Sequence, residues 1–301
     1  MKKCLIVTYG FFGDVFFQSS IAKKLKEEKK YDWIEYAMSF PQIRRMLSNN
    51  PYIDAVISVG PPSPFPYIVD KRYQDLGYDI IRMKAFTFTE PPPMECQKWA
   101  GVENPDTEFQ IYTDPIYDSI AKQRVDELRA LTGKTQVIAI PVDWKDRTFV
   151  FTKEQYEAGI DSPNLDGYGG QRRDVDRIKE ELSKHFAILD VGHPIKVNQS
   201  STIGTPENDE KSILFECSLM KNCDAFIGSE GGMCNMASGV GTKTIITGDF
   251  VLQLYGWNGS VRKIKEPKLG PVYYFKDKGH VELDPYLTDD EVINEIKRLL
   301  C

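Results

Sequence analysis

The chain has 301 residues, 38 Lys and Arg against 44 Asp and Glu, and 41 % hydrophobic residues. At roughly 150 residues per domain, that length points to two domains, each able to bury its own core. A net charge of −6 excludes a surface coated in positive charge for nonspecific nucleic-acid binding, and 22 Gly with 18 Pro are too few for a low-complexity or collagen-like chain.

From the N-terminus, Cys4 to Thr8 is a continuous apolar run that predicts a strand buried on both faces. Val15 to Lys29 follows as a helix, with Phe16, Phe17, Ile21 and Leu25 inward and Lys23, Lys24, Glu27 and Glu28 in water. Strands are expected over 33–37, 55–59 and 78–83, with a short helix over 42–47. This strand–helix–strand rhythm predicts a parallel, doubly wound sheet. Two Pro-rich stretches with interleaved Phe, 60–66 and 86–93, interrupt it and can continue neither a helix nor a central strand. They read as rigid surface loops or as the wall of a binding cleft.

A long helix over 115–131 ends at Gly133, and the pattern then restarts. Strands are expected at 137–141, 187–191, 225–228 and 244–247, with helices at 175–185, 212–221, 233–240 and 289–300. Thr288 or Asp289 caps the last of these. The α/β chain therefore divides into a domain over 1–133 and a domain over 134–301, with the last helix available to pack back on the first. The second domain carries an irregular insertion over 143–173 and a basic, aromatic segment over 261–280.

No apolar run reaches the roughly 20 residues of a spanning helix. The short apolar stretch at the N-terminus meets Gly10 and Asp14, so it reads as a core strand with no cleavable segment. Six scattered cysteines without a CxxC pair fit a reducing, cytoplasmic compartment, and three dispersed histidines imply no metal site.

Chemistry is expected where glycine turns follow strands and open helices. The first such turn, Tyr9-Gly10-Phe11-Phe12-Gly13-Asp14, places a carboxylate at the start of a helix. Asp14 there is either a cap or an acid able to take a proton. The second runs from Asp224 to Ala237 through Gly228-Ser229-Glu230-Gly231-Gly232. Gly231 and Gly232 leave backbone N–H groups open at a helix N-terminus, which suits a diphosphate. Glu230 would repel phosphate and so suits sugar or ribose hydroxyls, or is simply a surface acid in a turn.

Residues 3–28, with their GxxGD turn, resemble the opening of the lipopolysaccharide heptosyltransferases, glycosyltransferase family 9. NNPYIDAVISV at 49–59 and the glycine-rich stretch over 223–248 resemble that family's next strand entry and its donor motif. The resemblance implies a GT-B architecture, two Rossmann-like parallel-sheet domains facing across a cleft. It also implies inverting, metal-independent sugar transfer from a nucleotide-sugar donor, with no other cofactor. The family's catalytic base falls on Asp14, and its donor-motif acid on Glu230. Gly232 matches the motif glycine, while Gly231 stands where Ser is usual and Asn235 where His is usual. The family's phosphate-binding Lys falls on Lys145, with Arg147 as the alternative in the same charged loop. Gly13, Ser229 and Met233 complete the expected donor contacts.

Other readings share parts of this pattern. Arg262 to Lys278 mixes basic and aromatic residues, which suits a nucleic-acid backbone with unstacked bases, so the acceptor is either a glycan or hydroxymethylated bases of viral DNA. A nucleotide-sugar 2-epimerase or a non-catalytic nucleotide-sugar-binding protein would share the architecture. His193, after the 187–191 strand, lies where a nucleotide base would rest or is only loop. A dehydrogenase fits least, because neither glycine turn has dinucleotide spacing.

Overall fold

The computed structural model describes residues 1–8, 12–38, 44, 47–58, 66–84, 91–142, 173–192, 213–228, 232–247, 280–283 and 287–301. Most of the 42–47 helix, most of the two Pro-rich stretches, the 143–172 insertion and residues 261–279 of the basic segment lie outside these residues. By contact the chain falls into two units, Met1–Asp118 with Lys196–Ser218 and Ser119–Ile195 with Leu219–Cys301.

The first sheet consists of β1 (Lys3–Val7), β2 (Trp33–Met38), β3 (Ala55–Ser58) and β4 (Tyr78–Arg82) in the order β3-β2-β1-β4. Every pairing is parallel. Cys4, Leu5 and Ile6 are fully buried, as a central strand covered on both faces requires. Helix α1 (Phe12–Glu27) puts Phe16, Phe17, Ile21 and Leu25 into the core as expected.

The first half of α1 is buried more completely than its pattern suggests, since Gln18, Ser19 and Ser20 are inside as well. The serine hydroxyls and the Gln18 backbone carbonyl are hydrogen-bonded. Ser19 and Ser20 donate to the carbonyls of Phe16 and Phe17, each at 2.7 Å, and the Tyr36 hydroxyl donates to the Gln18 carbonyl at 2.9 Å. Hydrogen bonds of this kind make a buried polar stripe tolerable.

Helices α2 (Pro66–Asp75) and α3 (Pro92–Trp99) correct the sequence reading at the ends of both Pro-rich stretches. Pro92 and Pro93 occupy the first turn of α3, where the missing N–H has no helical partner to lose. Proline there starts a helix. Helix α4 (Pro115–Thr132) ends at Gly133, whose φ of +67° favours glycine.

The second sheet contains β5 (Val137–Pro141), β6 (Ala187–Val191), β7 (Ala225–Gly228), β8 (Thr244–Ile246) and β9 (Val281–Glu282). Their order is β6-β5-β7-β8-β9, again all parallel. The two-residue β9 gives too short a signal to read from sequence. Helix α5 (Val175–Ser183) is capped by Asp174, which accepts from the Arg177 N–H at 3.0 Å. Helices α6 (Ile213–Lys221), α7 (Gly232–Gly239) and α8 (Asp289–Leu300) follow.

Thr288 caps α8 through a reciprocal box with Glu291. The last helix, considered for return to the first domain, sets Val292, Ile293 and Ile296 against Ile178, Leu182 and Phe186 of its own unit. The core beneath the second sheet supplies the apolar surface that its stripe requires.

Candidate functional site

Ligands in an open parallel sheet bind beyond the carboxyl ends of its strands, where the strand order reverses. In the first sheet the reversal is at β1, with β2 and β3 on one side and β4 on the other. In the second it is at β5, between β6 and β7. The first glycine turn singled out by the sequence leaves β1 itself, and the second leaves β7, the strand next to β5.

The first turn follows β1, whose carboxyl end is held on both sides. Thr8 donates from its N–H to the Ala37 carbonyl at 2.9 Å, and Met83 donates to the Val7 carbonyl at 3.0 Å. Gly13 and Asp14 lie in the first turn of α1, where the helix dipole favours a carboxylate. Asp14 is half-buried. Its charge is felt by Cys96 of α3. Burial pushes that thiol well above its ordinary range, and the carboxylates of Glu95 and Asp14 push it the same way. Cys96 therefore stays a neutral thiol within the field of the acid. Sequence reasoning missed this neighbour, since no local signal joins residue 14 to residue 96.

The second turn follows β7. Thr247 donates from its N–H to the Gly228 carbonyl at 3.0 Å and fixes the strand end. A Cβ at Gly228 would lie 3.1 Å from the Pro141 ring and 3.1 Å from the Phe226 ring, so a larger residue at this approach of β7 to the end of β5 would need those rings to give by a few tenths of an ångström. Across the same edge, Gly192 follows β6 with φ +74°, and a Cβ there would lie 3.2 Å from the Met233 methyl. Met233 thus reaches from α7 to the segment after β6. The sequence offers glycines at strand ends as the signal for this packing, but not which side chains they admit.

At the start of α7, Gly232 is exposed and a Cβ on it would meet nothing within 4 Å. No acidic residue stands in the first turn of α7. Asn235, one turn along, is only 4 % exposed, and among the described residues its Oδ1 has no hydrogen-bond partner. Deeper in the unit, His280 accepts from the Thr244 N–H through Nδ1 at 2.9 Å, and its Nε2 lies 3.1 Å from the Ser238 hydroxyl. With Nδ1 accepting, Nε2 carries the proton and donates to Ser238, which makes this histidine a packing element.

The structure therefore brings Gly232, Met233 and Asn235 together with Gly192 and Gly228 at one sheet edge, and puts Gly13 and Asp14 at the corresponding edge of the other sheet. Lys145, Arg147, His193, Ser229, Glu230 and Gly231 lie outside the described residues. Among the described residues no group of three His, Cys, Asp or Glu stands together to hold a metal, and no helix is long and apolar enough to cross a membrane.

No protein-family model matches the chain, and no curated protein matches it by sequence. Solved structures do. A family 9 glycosyltransferase from Veillonella parvula DSM 2008 matches with a TM-score of 0.61 at 12 % identity, over 99 % of this chain and 97 % of that one. The ADP-heptose lipopolysaccharide heptosyltransferase II of E. coli matches at 0.51 and 11 % identity, over 100 % and 98 %. The E. coli heptosyltransferase WaaC with ADP-2-deoxy-2-fluoro heptose matches at 0.52 and 9 % identity, over 98 % and 99 %. The fold is the α/β fold of these glycosyltransferases, with two parallel sheets in one chain.

Proposed function

We propose that this chain is an inverting, metal-independent glycosyltransferase that moves a sugar from a nucleotide-sugar donor to an acceptor hydroxyl. One observation carries the reading. Each sheet has a glycine-containing link to a helix N-terminus at or beside its point of strand reversal, one helix with a half-buried carboxylate in its first turn and the other with an exposed glycine and no acid in its first turn. Support also comes from the fold, shared with heptosyltransferases, one of them solved with an ADP-heptose analogue.

In this reading the Asp14 carboxylate takes the proton of the acceptor hydroxyl as its oxygen bonds to the anomeric carbon. The bond from that carbon to the diphosphate oxygen breaks, and its electron pair leaves with the nucleoside diphosphate. Attack opposite the leaving group inverts the anomeric centre. N–H groups at the start of α7, with Lys145 or Arg147, neutralise the charge that develops on the leaving oxygen, so no metal is required. Ser229, Glu230, Gly231, Gly232, Met233 and Asn235 hold the donor.

The test is a thermal-shift screen of ADP-, UDP- and GDP-sugars against the matching nucleoside diphosphates, followed by product analysis with and without a glycan acceptor. A donor that stabilises the protein and is consumed only when acceptor is present supports transfer. Epimerised or free sugar without acceptor would show a 2-epimerase or hydrolase instead, and binding without turnover would remove the catalytic role.

A further inference from the structure

We infer that Asn235 reads the transferred sugar, its Oδ1 accepting a hydrogen bond from a sugar hydroxyl of the donor. The inference rests on the proposed nucleotide-sugar site and adds the chemistry of one subsite. A buried carboxamide oxygen without a donor is costly and rare, so the satisfied state of this residue has to bring a donor to it. The exposed start of its own helix is one turn away. Residues three apart share a helix face, and helical side chains lean toward the N-terminus, so Asn235 leans toward Gly232. At Gly232 there is no side chain to close the space, and a Cβ would meet nothing within 4 Å.

The chemistry of the atom excludes part of the donor. Oδ1 is an acceptor and cannot pair with the oxygens of an ionised diphosphate, which are acceptors too. Those oxygens suit the free N–H groups at the helix start. The next group along a nucleotide sugar bound there is the sugar, and its hydroxyls are the donors that Oδ1 lacks. A site built around such a bond discriminates against a sugar without that hydroxyl, because the acceptor is then buried unpaired.

The experiment compares the wild type with Asn235→Leu by titration calorimetry and thermal shift. The probes are UDP-glucose, ADP-glucose and GDP-mannose beside UDP, ADP and GDP. Leu should melt no lower than wild type without ligand, because it removes an unpaired polar group. It should bind the preferred nucleotide sugar about tenfold more weakly and the matching diphosphate within about twofold. Equal weakening of both ligands, unchanged binding of both, or a fall of several degrees in the unliganded melting temperature overturns the inference. Should Asn235→Leu fail to fold, the wild type answers with monodeoxy analogues of the bound sugar. One of them must bind about tenfold more weakly, and a flat series overturns the inference. A wild type that binds the diphosphates and none of the nucleotide sugars instead defeats the proposed function, and this inference with it.

Discussion

The helices that follow β1 and β7 start alike in position and differ in charge. One follows the reversal strand of its parallel sheet and the other follows the strand beside it. Yet α1 has an acid in its first turn and α7 has none. A helix N-terminus has a limited positive field, and a carboxylate already placed there leaves little of it for a phosphate. On the proposed reading the difference divides the work: the first turn of α1 holds its own anion, and the first turn of α7, which starts two residues after Glu230, serves one brought by a ligand.

The largest expected effect comes from the acid. Asp14→Asn should lower kcat by about 10²- to 10⁴-fold while leaving the donor-induced thermal shift in place, measured by initial rates and melting curves. Making the two turns alike is the next test. Gly232→Asp puts a carboxylate in the first turn of α7, where there is room for it, and should weaken nucleoside diphosphate binding by about tenfold or more. Gly232→Ala should bind as wild type and hold the control.

Smaller effects probe the scaffold under each turn. Gly228→Ala forces a Cβ to 3.1 Å from Pro141, and should cost about 1 kcal/mol in urea unfolding while also weakening donor binding. In the first unit, Asp106 accepts from Lys24 of α1 and from the Glu108 N–H. Burial pushes its carboxyl up, but Lys24 and these hydrogen bonds outweigh it and hold it below its ordinary value. A depressed folded pKa means stability that is present above the unfolded value of about 3.9 and is lost as pH falls through the folded one. Asp106→Asn should therefore flatten the acid arm of a stability–pH curve, by less than about 1 kcal/mol because the pair is partly exposed and screened.

Much of the fold was legible because parallel strands are written as apolar runs. Val137–Pro141, Ala187–Val191 and Ala225–Gly228, broken only by the exposed Asp190 of the edge strand β6, have the bounds the runs predict. Helices α2 and α3 were not, since proline reads as a breaker unless its place in the first turn is known. Nor was the burial of Gln18, Ser19 and Ser20, which depends on α3 lying against α1. Gln97 of α3 donates to the Ser20 hydroxyl at 3.2 Å, a partner 77 residues away. At the site, the strand-to-helix turns and their glycines could be read locally. The Cys96 neighbour of Asp14 and the unpaired Asn235 oxygen could not, because each depends on what packs around it.

The division of labour between the two turns is tested most directly by backbone amide NMR on the isotope-labelled protein. The titrant is whichever of ADP, UDP or GDP stabilises it most. The account predicts that the amides of Gly232 and Met233 move first and furthest, while those of Gly13 and Asp14 stay close to their free positions. A response centred on Gly13 and Asp14, with α7 unmoved, would contradict it.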